Sequence, residues 1–380
     1  MTIQRLYVCT HILQSVPPSN LNRDDSGTPK QAVYGGARRA RVSSQAWKRA
    51  TRLTYAHGVP EADRATRTKR ITELLATRLR DGEDLPQEQA DRLATALVAP
   101  LGITKSAKKD DQSAYLLFFG KRQLDSIVTL LGGRAHELAA LDGKQLKAEI
   151  DKLPVAKQLS KAHPAEVALF GRMVADVPSL NVDAAVQVAH AISTHAVQNE
   201  FDYYTAVDDE HTEDSGAGMI GTIEFNSATL YRYATLGVHQ LHENLAETAT
   251  VADTAARFVD AFTRSIPSGH QNTFAHRTLP HLVAVTLRTD QPVNLVSAYE
   301  APVRSRDGIA EDSIARLAAE LTATSDTWGT TPALTLATYA PAGAAQDKAS
   351  AAFGPSIPFP QLIQQLSTAV AHWLDTGEVR

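Results

Sequence analysis

Residues 20–52 read NLNRDDSGTPKQAVYGGARRARVSSQAWKRATR. Between Ser26 and Pro60 there is no Asp or Glu, yet there are seven basic residues: Lys30, Arg38, Arg39, Arg41, Lys48, Arg49 and Arg52. The chain as a whole carries a net charge of −4. Cations gathered in one stretch of a slightly acidic chain are the pattern of a protein that grips a polyanion locally. Residues 32–34 and 39–42 suit extended segments, joined by Gly35-Gly36, a pair that permits positive φ and close backbone approach. Ser43 or Ser44 then supplies an N-cap for a helix running through Arg52. On that helix Gln45, Lys48, Arg49 and Arg52 fall at i, i+3, i+4 and i+7 and share one face. Free N–H groups and hydroxyls at a helix start, with cations one turn later, make a phosphate site. The plainer alternative is a solvated basic helix after a glycine turn. The serines, the paired glycines and the absence of acids together favour the phosphate site.

The bulk properties bound the rest. At 380 residues the chain is long for one compact domain and suggests one core with a large insertion, or two domains. With 43% apolar and 21% charged residues it has an ordinary globular composition, and its acidic balance argues against indiscriminate nucleic-acid binding. The single Cys9 excludes an internal disulfide and reads as a small buried hydrophobe, which fits a reducing compartment. No signal peptide and no apolar run long enough to span a membrane is seen, so a cytoplasmic location is expected.

Taken in order, residues 3–13 suit a central strand and residues 15–29 a loop. Asp24-Asp25 could serve as metal or general-base carboxylates, although adjacent Arg23 and the turn residues favour an Asx turn or a salt bridge. Helical periodicity runs from 61 to 99, with Pro86 opening a second helix, and resumes at 113–131, 135–150 and 164–175. Such a block between strand-bearing flanks reads as an insertion. Met173 would ordinarily fill a core. Residues 182–198 read as an apolar helix whose His190 and His195, at i and i+5, do not share a face and suit structural hydrogen bonding better than zinc. Residues 201–207 and 219–233 then form a long hairpin around a loop at 208–218. From Glu200 to Tyr231 there are eight acids and no Lys or Arg, so this hairpin cannot follow phosphates by charge. Further elements are a helix at 251–265, a polar turn at 269–273, a strand at 281–287, a helix at 309–324, a strand at 333–339 and a helix at 360–374. The order is consistent with an elaborated βαββαβ sheet, an α+β fold.

Several motifs together carry a family resemblance. Residues 18–25 (PSNLNRDD), Tyr34-Gly35-Gly36 with Arg38-Arg39-Ala40-Arg41, Ser43-Ser44-Gln45 and Lys48-Arg49 resemble the CasC backbone subunit family of type I-E CRISPR Cascade complexes. Gly171-Arg172-Met173, residues 189–192 (AHAI), residues 204–209 (YTAVDD), Glu224-Phe225 and residues 231–234 (YRYA) extend the likeness over nearly the whole chain. It is strongest in 10–55 and 185–235. The resemblance implies a modified RNA-recognition-motif (ferredoxin-like) palm. On that reading 1–60 is the first part of the palm, 61–180 a helical fingers insertion, 181–199 a palm helix, 200–232 a thumb hairpin and 233–380 the second part of the palm. It also implies a non-catalytic subunit, without metal or cofactor, that polymerises head to tail along CRISPR RNA. The thumb kinks the guide at intervals, leaving bases free to pair with target DNA, and other Cascade subunits complete the assembly. Carried over residue by residue, the RNA contacts are Asn20, Asn22, Arg23, Lys30, Gly36, Arg38, Arg41, Ser43, Ser44, Gln45, Lys48, Arg49, Arg52, Arg172 and Gln271. Met173, Thr205 and Ile220 match the wedge positions near the kinked nucleotide. Asn272 stands where the family pattern has a basic residue.

Two other functions are open to the residues alone. A metal-dependent ribonuclease would use Asp24 or Asp25, but no third carboxylate stands at a ligand spacing and no nucleophile is activated. A phosphate-binding enzyme built on Gly35-Gly36 lacks both GxxxxGK[ST] and GxGxxG. The chain has no aromatic pair of the RNP type, which fits recognition of shape and backbone. Finally, the acids Asp208, Asp209, Glu210, Glu213 and Asp214 of the hairpin loop are either simply solvated or meet cations of a neighbouring copy, and the second is the expectation. Lys105, Lys108 and Lys109 or Arg38-Arg39 are the candidates.

Overall fold

The computed structural model of the chain describes residues 4–103, 113, 114, 116–207, 217–245, 247–305, 308–341 and 343–380. It begins with β1 (Tyr7–Ser19), a hairpin of β2 (Gln31–Tyr34) and β3 (Ala37–Val42), and helix α1 (Ser44–Ala56). Then follow β4 (Ala65–Thr68), α2 (Ile71–Glu83), α3 (Gln87–Val98), β5 (Leu117–Gly120) and α4 (Lys121–Thr129). Short helices continue the run: α5 (Ala135–Ala140), α6 (Gly143–Ile150), α7 (Val155–Leu159) and α8 (Ala165–Phe170). Strands return with β6 (Val186–Val188), β7 (Ala191–Ser193), β8 (Glu200–Val207) and β9 (Ala217–Gly237). The remainder is α9 (Val238–Leu245), α10 (Thr248–Arg264), α11 (Gln271–Phe274), β10 (Leu282–Arg288), α12 (Ala310–Trp328), β11 (Leu334–Tyr339), α13 (Gly343–Phe353) and α14 (Phe359–Thr376). The fold is mixed α+β. Two compact units share the chain: Met1–Thr54, Val186–His239 and Ala252–Arg380 form the first, and Tyr55–Ala185 with Gln240–Val251 the second.

The first unit is built on an antiparallel sheet in the order β11-β10-β1-β9-β7-β3-β2, with β6 and β8 also pairing with β9. β1 is central, as its doubly apolar sequence requires, and both of its faces are buried. One face packs Cys9, Leu13, Tyr231, Tyr233, Leu282 and Ala284 against Ile314, Leu317, Ala318 and Leu321 of α12 and Ala349 and Phe353 of α13. On the other face the Arg232 guanidinium is fully buried, 3.8 Å from the Trp47 ring of α1 and 4.7 Å from the Phe262 ring of α10. It donates to Gln14 Oε1 at 2.6 Å, to Phe262 O and to Thr263 O at 3.4 Å. Burial lowers its pKa to about 9, so it remains a cation at neutral pH. Three acceptors and two aromatic faces replace the water it gives up.

In the second unit α2 and α3 each bury one side. Ile71, Leu75 and Leu79 of α2 and Leu93 and Leu97 of α3 meet Leu124, Ile127, Leu138, Leu146, Ile150 and Leu159 in one cluster. β4 and β5 pair from Ala65↔Gly120 to Thr68↔Leu117. The buried Glu166 carboxylate accepts from Ala65 N at 2.6 Å and fastens this strand pair to α8.

One expected helix is a pair of strands, and another gives up its first part to a strand. Residues 182–198 hold β6 and β7, both paired with β9, because Val186 and Val188 face inward on alternate positions and complete a sheet. The helix expected over 113–131 begins only at Lys121, since the buried run Leu117-Phe118-Phe119-Gly120 pairs with β4. Periodicity cannot separate a short buried strand from a helix segment. β1 also continues to Ser19, into the stretch read as loop. Lys105, Lys108 and Lys109 and the acids at 208–214 lie outside the described residues.

Two stability measurements follow. Arg232→Met removes the guanidinium donor of Gln14 Oε1, Phe262 O and Thr263 O and should lower the urea-unfolding free energy by about 3 kcal/mol. Arg232→Lys, which keeps the charge and loses the planar fork, should recover only part of that loss. The second concerns His11, which is buried on the sheet with Nδ1 2.8 Å from the Tyr231 hydroxyl. Burial, with Arg288 nearby, lowers its pKa to about 3. In the unfolded chain it binds a proton below about pH 6.5, and the fold refuses that proton, so stability falls as pH drops through this window. His11→Gln should flatten the dependence by up to about 1.4 kcal/mol per pH unit between about pH 6.5 and 4, read from urea titrations.

Candidate nucleic-acid interface

The block quoted at the outset folds as a hairpin followed by a capped helix. Gly35 and Gly36 take φ of +58° and +70° at the β2–β3 turn. A Cβ on Gly35 would lie 1.7 Å from Glu300 O, so only glycine lets the turn approach that backbone. Ser43 Oγ accepts from Ala46 N at 3.3 Å and caps α1, while Ser43 N donates to Asn22 Oδ1 at 2.9 Å. The cap is therefore held by the loop before β2. Lys30 N bonds to Asn22 O, and Arg41 N to Lys30 O, which brings Asn22, Lys30, Arg41 and Ser43 together. On α1, Gln45 and Arg49 are exposed and Ser44, Lys48 and Arg52 half-buried; burial lowers the Lys48 pKa.

The adjacent loop is shaped by its own side chains. Asp24 Oδ1 accepts from Ser26 N at 2.9 Å and Thr28 N at 3.1 Å, an Asx turn, and Asp25 is exposed. Among the described residues no group of three or more His, Cys, Asp or Glu is placed to hold a metal ion. Arg23 and Arg38 are exposed. The exposed Gln271 opens the short helix α11, and Gly269 just before it presses on the loop: a Cβ there would meet the carbonyl oxygens of Asn20 and Leu21 at 2.5 Å. Arg23 Nη1 reaches His270 Nε2 at 2.6 Å, and Arg41 Nη1 reaches His190 Nδ1 at 3.1 Å. Each arginine donates to a neutral imidazole. Burial and then the neighbouring cations, Arg41 and Lys30 for His190 and Arg23 for His270, lower both histidine pKa values.

A cleft of about 700 Å³ lies at the root of the β8–β9 hairpin, lined among others by Gln31, Arg38, Gln198, Asn199, Phe201 and Glu224. A polar network fixes this root. Asn199 accepts from Gln31 at 2.5 Å and donates to Glu224 Oε2 at 2.9 Å, and Thr28 Oγ1 donates to Glu224 Oε1 at 3.0 Å. Phe201, Tyr203 and Thr205 alternate along β8 and are all exposed, the two aromatics at 67% and 62%. Thr205 is in register with Ile220 of β9.

Three sequence expectations change. Asn20 is 1% exposed and its amide donates to Gly27 O and Glu224 O, so it ties the loop to β9 and does not face a ligand. Arg39 is fully buried and donates to the carbonyls of Ser193, Tyr299 and Glu300, which removes it as a surface cation beside Arg38. In the second unit Arg172 is buried and donates to Leu180 O at 2.6 Å, Phe118 O at 3.3 Å and Leu159 O at 2.8 Å, which makes it a structural clamp at the edge of a cleft it lines with Met173. Its neighbour Met173 is not a core filler: it is 83% exposed. Sequence reasoning also missed the arginine-bound histidines and the exposed pair Phe201 and Tyr203, whose i, i+2 spacing on a strand was the available signal.

The covered sheet limits what the arrangement can do. α12 and α13 lie on one face and α1 and α10 on the other, so the central strands offer no open platform for stacked bases. The available chemistry lies in loop cations, helix-start N–H groups and the hairpin's exposed apolar side chains.

Comparison with known proteins places this arrangement. No curated protein matches the chain. It is similar to a chain of the solved structure "CRISPR RNA-guided surveillance complex, pre-nicking", with TM-score 0.82 and 31% identity over 96% of this chain and 100% of that one. It is also similar to a chain of a "CRISPR RNA-guided surveillance complex", with TM-score 0.75 and 28% identity over 96% and 99%. Residues 8–365 match the CT1975-like protein family, a span that takes in the glycine-turn block, the hairpin and both units, and the chain belongs to that family.

Proposed function

We propose that this chain is a non-catalytic, CRISPR RNA-binding backbone subunit of a type I-E Cascade surveillance complex, of the CasC kind. Copies polymerise head to tail along the guide RNA and present it for pairing with target DNA, together with other Cascade subunits. The observation that carries the reading is the serine-capped helix start beyond the Gly35-Gly36 turn, flanked by exposed Arg23, Arg38 and Arg49 and half-buried Lys30, Arg41, Lys48 and Arg52. Such a surface grips a phosphate backbone without reading bases. The likeness to chains of CRISPR RNA-guided surveillance complexes supports the choice of ligand.

On this reading the first unit is a palm modified from an RNA-recognition motif, with β1 between β9 and β10 and helices α1 and α10 on one face. The second unit is the fingers and β8–β9 the thumb. Lys30, Gly36, Arg38, Arg41, Ser43, Ser44, Gln45, Lys48, Arg49 and Arg52 line the RNA backbone, with Asn22, Arg23 and Gln271 beside them. Asn20 and Arg172 act through the shape of the loop and of the fingers. Met173, Thr205 and Ile220 supply the wedge at a kinked nucleotide. Of the two carboxylates a ribonuclease would use, Asp24 already accepts two backbone N–H groups of its own turn, and Asp25 is exposed, with no third carboxylate at a ligand spacing among the described residues.

Replacing Arg38, Lys48 and Arg49 together with glutamine should weaken single-stranded RNA binding for every sequence alike and flatten the log–log salt dependence by about two units, at about 0.7 per phosphate contact. Anisotropy titrations at several salt concentrations read this, and an unchanged slope would place these cations away from the RNA. Met173→Ala should behave differently, leaving the salt slope alone and costing about 1–3 kcal/mol of RNA affinity if a base packs on the side chain. Chemical probing should then report less distortion at the kinked nucleotides, and identical probing at every position would remove Met173 from the wedge.

A further inference from the structure

We propose that His190 and His270 are phosphate ligands of the RNA path, each taking up a proton as a phosphate seats beside the arginine it holds. The inference rests on the RNA-binding reading above and adds two residues and a proton to it.

The geometry occurs twice, independently. Arg41 is held at two corners: Nε donates to Gln31 O at 3.3 Å and Nη1 to His190 Nδ1 at 3.1 Å. Arg23 Nη1 is 2.6 Å from His270 Nε2. A guanidinium has donors only, so the imidazole nitrogen facing it must carry a lone pair. Both rings are thus neutral in the unliganded protein. His190 is exposed and His270 half-buried, so an anion can reach either.

The charged groups acting on His190 are Arg41 and Lys30, and the one acting on His270 is Arg23. These cations, with partial burial, oppose protonation. A phosphate diester seated against the ring offsets one of these cations and offers the imidazole an anionic acceptor in direct contact. The imidazole then gains by protonating and turns from an acceptor for arginine into a donor to the phosphate oxygen, while arginine turns its freed N–H to the same anion. The proton comes from solvent and no covalent bond changes.

The sign of the linkage follows. RNA raises the affinity of each histidine for a proton, so the complex binds more protons than the free protein, and affinity must rise as pH falls between the free and bound pKa values. Each histidine can contribute at most about tenfold in Kd per pH unit. Backbone phosphates stay anionic throughout, so the effect belongs to the protein.

The test is anisotropy titration of the full chain with a fluorescent oligouridine at constant ionic strength, between about pH 8 and about pH 6, the range in which histidine titrates. Oligouridine takes up no proton in this range. Wild-type Kd should fall about tenfold or more across it. The double variant His190→Gln and His270→Gln keeps an acceptor for each arginine but cannot protonate. Its Kd should be the same at both ends of the range, whatever its absolute affinity. Circular dichroism confirms the fold of each protein at each pH. A flat wild-type profile, or a double variant that keeps the wild-type dependence, would overturn the proposal while leaving RNA binding in place. No binding at either pH would overturn the RNA reading, and this inference with it.

Discussion

A guanidinium without a carboxylate partner holds the first unit together. Arg232 stands on β9 opposite Ile12 of β1, and its charge is spread between Trp47 and Phe262 and three oxygen acceptors. A buried cation is costly, and the desolvation that lowers its pKa is the measure of that cost. What offsets it is geometry: a planar fork meets oxygens at its edge while its faces meet rings. The functional consequence is positional. Trp47 lies within the same helix as Lys48 and Arg49, and β9 runs from the hairpin into the sheet. One side chain thus fixes both the basic helix and the strand of the hairpin to a common frame, and the cations of α1 gain a defined direction that a solvated helix would lack.

The covering of both sheet faces determines where a ligand can lie. An open sheet with surface aromatics reads bases by stacking. Here α12 and α13 occupy that role's place on one side, and the surfaces left are turns and helix starts. These suit phosphates. The Gly35-Gly36 turn is pinned under Glu300, Arg39 is locked beneath it on three carbonyls, and Asn22 holds the helix cap. Individually, exposed cations contribute little to stability. Set on a rigid turn, on the reading proposed above, they would neutralise successive phosphates and release counterions together, and that sum would supply the affinity.

Much of this was legible in residues 20–52, because glycine pairs, serine caps and acid-free runs act locally. The β2–β3 hairpin, the start of α1 and the apolar central strand were all readable for the same reason. Burial of polar residues was not. Arg38 and Arg39 are neighbours of the same type, yet one is exposed and the other has no exposure. Adjacent strand residues point to opposite faces, but only the tertiary structure says which face finds Ser193 and Glu300. Asn20 and Arg172 hide for the same reason: each has among its partners a backbone carbonyl distant in sequence, Glu224 O and Phe118 O. Residues 182–198 misled because an alanine-rich run with helical spacing was claimed by the edge of β9.

The chain separates its charges between two elements, the glycine-turn block and the hairpin. From Glu200 to Tyr231 there is no Lys or Arg, whereas from 27 to 59 there is no Asp or Glu. A two-stranded ribbon is marginal alone in water, and β8–β9 is steadied at its root by Asn199, Glu224, Thr28 and Asn20. That network uses the oxygens of Glu224 as acceptors inside the protein, beside the cleft that Arg38 lines. Beyond the root the ribbon presents Phe201 and Tyr203, with Asp202 exposed on the alternate position. Acid on such a ribbon repels phosphates while its aromatics attract the faces of unstacked bases. A strand of nucleic acid gripped by its backbone at the glycine turn would therefore meet the hairpin only where its bases turn away from its phosphates, which is the geometry of a kink.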